Sequence, residues 1–94
     1  MLVKNLNGTT VKKCKCASWI NHWENFSKQV TLKCVVIGCN NNYSVGGHVQ
    51  KKSEADCSWY IIPICSECNN QQGQTLDIND AVNLVPANVS LTCG

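Results

Sequence analysis

Eight cysteines and two histidines are the residues of this 94-residue chain best equipped for chemistry. Cys34-x4-Cys39 and Cys65-x2-Cys68 are two close pairs, each able to grip one ion from a turn. Together they offer four sulfurs in a tetrahedron, the arrangement of a structural zinc site. Cys14-x-Cys16 can grip a second ion in the same way, and Cys93 has little reason to be sulfur unless it meets partners. Cys14, Cys16 and Cys93 are therefore candidate ligands of a second zinc, with His22 as the fourth or Cys57 in its place, and such a site would tie the two ends of the chain together. The bland alternative is that Cys57 is a buried thiol and that Cys14, Cys16 and Cys93 hold nothing.

Disulfides are the competing use of so many cysteines and would imply export. Four Asn-x-Ser/Thr sequons, at Asn7, Asn25, Asn42 and Asn88, pull the same way. Twelve asparagines produce such triplets by chance, however, and the first eight residues lack the charged-then-apolar pattern of a signal peptide. No apolar run approaches the roughly 18 residues of a membrane span. The expectation is a soluble, cytoplasmic protein with reduced thiols, no membrane partner and one structural zinc, with room for a second. At 44% hydrophobic residues with three tryptophans the chain is not disordered. A single domain of this length buries a thin core and needs such a staple.

Charge is unevenly spread. All eight cationic residues are lysines in the first 52 residues, where Glu24 is the only acid, so that half carries +7 and the rest −5. One face suited to a polyanion and two halves that attract each other are equally good readings. Without arginine there is no guanidinium fork for bidentate recognition, which favours loose attraction to a backbone over sequence readout.

The elements that must position these residues are short. Residues 1–13 read as a tail or an edge strand. Trp19, Trp23 and Phe26 recur at helical spacing after Ser18, a good N-cap, and predict an amphipathic helix of two to three turns with its aromatic side in the core. Residues 30–37 are rich in β-branched side chains and read as a strand ending at Gly38, where a tight turn presents Cys39. Residues 43–50 and 58–64 should pair as a hairpin, and residues 66–72 read as two helical turns. Residues 76–78, 81–85 and 89–93 read as wrapping segments.

The resulting order is cysteine turn, β-hairpin, then a short helix opening on Cys-x2-Cys. It is the order of a treble clef, and the expected fold is a small zinc-stabilised α+β domain with an added N-terminal amphipathic helix, its core at about residues 30–72. Within that core Gly46-Gly47-His48-Val49, Tyr60-Ile61-Ile62-Pro63-Ile64-Cys65 and Cys65-Ser66-Glu67-Cys68-Asn69 resemble the HNH, or His-Me finger, endonucleases. The resemblance implies that His48 is a general base on an attacking water and that Asn69 helps hold a catalytic divalent metal. It also implies nucleic acid, or a protein that handles nucleic acid, as the partner, and small phage or bacterial proteins as the company it keeps.

This chain departs from the family pattern in two places. Gly47 stands where many members carry an acidic metal ligand, and the middle asparagine expected near Tyr60 is missing. Two functions follow: a zinc-stabilised binding module, which the departures favour and which could modulate host machinery if phage-encoded, and a small metal-dependent endonuclease using His48. Each residue also has an ordinary role open to it. His48 can be a hairpin residue or a zinc ligand, Asn69 a helix cap, the tryptophans core, and Lys12, Lys13, Lys15, Lys51 and Lys52 a wetted surface.

Overall fold

The structure is a computed structural model of the 94-residue chain and describes residues 1–6, 18–29, 33–52, 58–71 and 74–87. Among the described residues, five strands and two helices form a small α+β domain. They are β1 (Leu2–Asn5), α1 (Trp19–Ser27), β2 (Val45–Lys51), β3 (Tyr60–Ile64), α2 (Ser66–Asn69), β4 (Thr75–Asp77) and β5 (Val85–Pro86). The strands make one antiparallel sheet in the order β4-β1-β2-β3-β5. No helix among the described residues is long and apolar enough to cross a membrane.

The β2–β3 hairpin is the centre of this sheet, and β3 is apolar on both sides because both of its faces are covered. Ile62 and Ile64 point to a core shared with Val3, Val49, Leu76, Ile78 and the four cysteines. Ile61 points the other way, to a second core with Trp23 and Val85. Pro63, which cannot donate to a ladder, instead accepts from the Val35 N–H through its carbonyl at 3.2 Å, holding the cysteine turn against the sheet.

The expected N-terminal helix is present, with Ser18 as its N-cap accepting from the Asn21 N–H at 3.2 Å. Nine residues make a marginal helix in isolation, so packing must stabilise it. Trp23 is fully buried and donates its indole N–H to the Asn83 carbonyl at 2.9 Å. Gly46 lets the helix lie directly on the sheet: a Cβ there would come within 2.5 Å of the Trp19 carbonyl carbon. Phe26, expected inside, is 38% exposed and leans on His22, at the mouth of a surface cavity it lines with Tyr60, Val82 and Leu84.

Three further expectations are corrected. Residues 2–5 are no edge strand but an inner strand between β2 and β4; the partner on the far side, β4, lies more than 70 residues away in sequence. Residues 33–37 make isolated bridges, Lys33 to Asn42 and Val36 to Ile78, in place of a strand, because the chain turns on itself at Gly38, whose φ is +86°. Residues 66–69 complete one helical turn where two were expected. Of the wrapping segments, residues 75–77 and 85–86 are strands closing the two ends of the sheet, and residues 89–93 lie outside the described residues.

Candidate metal centre

Cys34 and Cys39 bracket a tight turn, and Cys65 and Cys68 stand at the N-cap and third residue of α2. The turn is closed by Cys39 N–H donating to Val36 O at 3.0 Å, and its base by Cys34 N–H donating to Asn41 O at 2.9 Å. Cys65 caps α2, its sulfur accepting from the Cys68 N–H at 3.4 Å. The sheet brings the two pairs together: the four sulfurs lie within 4.8 Å of one another, with Cys34, Cys65 and Cys68 buried and Cys39 half-buried. All four are free thiols.

This cluster could hold a metal ion. A tetrahedron of metal–sulfur bonds about 2.3 Å long puts its sulfurs ~3.8 Å apart, and Cys39 Sγ lies 3.7 Å from Cys65 Sγ. The local electrostatics favour a cation as well. Burial works to raise the Cys65 thiol, yet donation from the Cys68 N–H, the Asn41 amide and the Cys68 and Cys39 thiols brings it down to about 7. Burial raises the Cys68 thiol, and sharing protons with Cys65 and Cys39 and facing the charge of Cys34 raise it further. Cys34 is raised by burial, against the pull of the Cys65 and Val36 N–H groups. Four crowded sulfurs thus cannot all ionise on their own, and a divalent ion is what would let them.

Asn5 belongs to this site and was not visible as such in the sequence. It is fully buried on β1 and donates its amide to the carbonyls of Asn69, at 2.9 Å, and Cys68, at 3.4 Å. It therefore satisfies carbonyls at the end of the helix that carries two of the sulfurs. An asparagine in a polar N-terminal stretch gives no local sign of a partner more than 60 residues away.

The residues matched to the nuclease pattern are not brought together. Neighbouring positions on a strand point to opposite faces. Gly47 faces α2, where a Cβ would come within 3.0 Å of Asn69 Oδ1 and 2.9 Å of an Ile64 methyl carbon. His48, one residue on, lies on the other face beneath α1, 5% exposed, with Trp19 at 4.7 Å and Trp59 at 6.2 Å between ring centroids. The sheet separates His48 from Asn69, so the pair forms no common site. The same contacts explain Gly47: an acidic side chain at that position would collide with Asn69.

Of the second group of proposed ligands only His22 is described. It is fully buried in α1, against Trp19 and Phe26. Its Nε2 sits 2.9 Å from the Pro86 carbonyl, a partner that only a protonated ring nitrogen can satisfy. Cys14, Cys16, Cys57 and Cys93 lie outside the described residues, as do Lys12, Lys13 and Lys15. Comparison with known proteins brings no match: no family model, curated protein or solved structure matches the chain.

Proposed function

We propose that this chain is a zinc-stabilised treble-clef module, related in pattern to the His-Me finger proteins, that binds nucleic acid and does not cut it. The observation that carries the proposal is the four-cysteine cluster gripped between a turn and the first turn of α2, with a β-hairpin between them in the chain. Four thiolates in a closed, largely buried set suit zinc in a structural role, since no ligand position is left for water or substrate. Nucleic acid as partner rests on the Gly46-Gly47-His48-Val49 resemblance and on the lysine-rich first half of the chain. Against cleavage stand the burial of His48 under Trp19 and its separation from Asn69 by the sheet. A general base must reach the proton it removes.

A second zinc on Cys14, Cys16 and Cys93, completed by Cys57 or His22, belongs to the same proposal. In its support, the described residues that lead into those stretches meet around His48. Leu6 N–H donates to the His48 carbonyl and Ala87 N–H to the Trp59 carbonyl, each at 2.9 Å, while the rings of Trp19 and Trp59 pack on His48.

Two measurements test the reading. Elemental analysis of purified protein should find zinc, with two ions per chain for the double site and one if the second cysteine group is idle. Incubation with plasmid DNA and magnesium, manganese or nickel should retain the DNA without nicking it. Nicking that disappears in His48→Ala would establish the endonuclease instead.

A further inference from the structure

Of the four clustered cysteines, Cys39 alone is not buried. It closes a turn whose other members meet solvent: Ile37, Gly38, Asn40 and Asn41 on either side of it are exposed. Gly38, at φ +86°, would meet no atom within 4 Å if it carried a Cβ. Solvent and small solutes therefore reach the turn on its Gly38 side, next to Cys39.

A partner sulfur is already in contact. Cys39 Sγ lies 3.7 Å from Cys65 Sγ, so the two need to close by about 1.7 Å to reach the ~2.0 Å of a disulfide bond. Cys65 is the fixed member of this pair. Its sulfur accepts from the Cys68 N–H at 3.4 Å and from the Asn41 amide at 3.6 Å, and its backbone joins β3 to α2. Cys39 is the member that can move, because Gly38 beside it has no side chain to restrict the turn.

We propose that Cys39 is a site of oxidation by hydrogen peroxide, resolved by Cys65 into a Cys39–Cys65 disulfide that takes two ligands from the four-cysteine site and releases its metal. The cross-link rests on the contact between the two sulfurs; the release of metal rests on the zinc reading above. In the first step the Cys39 thiolate attacks one peroxide oxygen: the S–O bond forms, the O–O bond breaks and the other oxygen leaves as hydroxide, giving a sulfenic acid. In the second the Cys65 thiolate attacks the Cys39 sulfur: the S–S bond forms, the S–O bond breaks and a second hydroxide leaves. The two sulfurs together lose two electrons, the peroxide gains them, and both hydroxides take up protons to become water. Only Cys34 and Cys68 then remain for an ion that takes four ligands.

The test treats the zinc-loaded full chain with equimolar hydrogen peroxide, follows released zinc with a chromophoric indicator and maps cross-linked peptides by mass spectrometry without reduction. One zinc per chain should be lost, Cys39 and Cys65 should be joined, and a thiol reductant with added zinc should restore the starting state. Cys39→His keeps a zinc-ligating side chain and removes the sulfur, so it should hold its zinc under the same treatment. If that variant folds poorly, the wild-type peptide map decides alone. A disulfide within either close pair, Cys34–Cys39 or Cys65–Cys68, or with a cysteine outside the cluster, in place of Cys39–Cys65 would overturn the assignment. So would a wild type that resists excess peroxide, or equal loss of zinc from Cys39→His. Protein that carries no zinc when purified would overturn the zinc reading and the metal release with it, while the same map on that metal-free chain would still uphold or refute the Cys39–Cys65 cross-link.

Discussion

The two faces of the β2–β3 hairpin are held by different physics. On one, Ile62, Ile64 and Val49 support four sulfurs within reach of one ion; on the other, Ile61 and His48 lie under the aromatic side chains of α1. With a metal bound as proposed above, the cysteine face would depend on a few strong, directional bonds whose strength varies with protons and chelators. The helix face depends on apolar area, a glycine that permits close approach and two ring N–H bonds. A strand only five residues long serves both because its side chains alternate.

The largest test of this contrast is removal of the zinc proposed for the four-cysteine site. A structural zinc contributes roughly 10–16 kcal/mol in small zinc-binding peptides, more than the total stability of most domains. Chelator, or Cys65→Ser, should therefore unfold the whole domain, read by circular dichroism and by loss of bound zinc. A chain that keeps its fold without metal would show that the helix face suffices.

Trp23→Ala should come next, costing about 3–5 kcal/mol through the cavity it leaves and the lost bond to Asn83. Zinc content should be unchanged by it wherever the protein remains folded. Loss of zinc from the folded variant would mean that the two faces are coupled through the hairpin.

Gly46→Ala and Gly47→Ala ask the same question in miniature. Each adds one methyl group, on the helix face and on the cysteine face respectively, and each should cost about 1–3 kcal/mol in denaturant melts. Gly46→Ala should cost more, because the atoms in its way are helix backbone, whereas those opposing Gly47 are side-chain atoms of Ile64 and Asn69.

The smallest expected effect is one of pH. Ligating thiols must lose their protons. Above about 7 Cys65 is already a thiolate and gives up none on binding, whereas the raised Cys34 and Cys68 still do. Zinc affinity should therefore rise with pH throughout and more steeply below about pH 7, as competition titrations with a chromophoric chelator would show. A pH-independent affinity would remove the four-thiol site from consideration.

Much of the cysteine face was legible in the sequence. Cys34, Cys39, Cys65 and Cys68 declare themselves by spacing, since each pair is joined by a turn that needs no distant partner. Ser18 and the Trp19, Trp23 periodicity likewise mark α1, because capping and amphipathicity are local. Asn5 was not legible: its role depends on β1 lying beside α2, a pairing of long sequence separation. The placement of His48 and Asn69 on opposite sides of the sheet was not legible for the same reason, since a motif preserves order along the chain and carries no statement about which side of a sheet each member faces.

The sequence by itself determined the four clustered thiols, the helix and the hairpin, all of them products of interactions a few residues long or of strands joined by one loop. Only the tertiary structure decided that residues 2–5 form an inner strand, that the helix covers β2, β3 and β5 but not β1 and β4, and that His48 is packed away from Asn69. Those outcomes depend on how the alternating faces of β2 are shared between two cores. The alternation is written in each strand, but which face meets which neighbour is fixed only when the distant segments close around the hairpin.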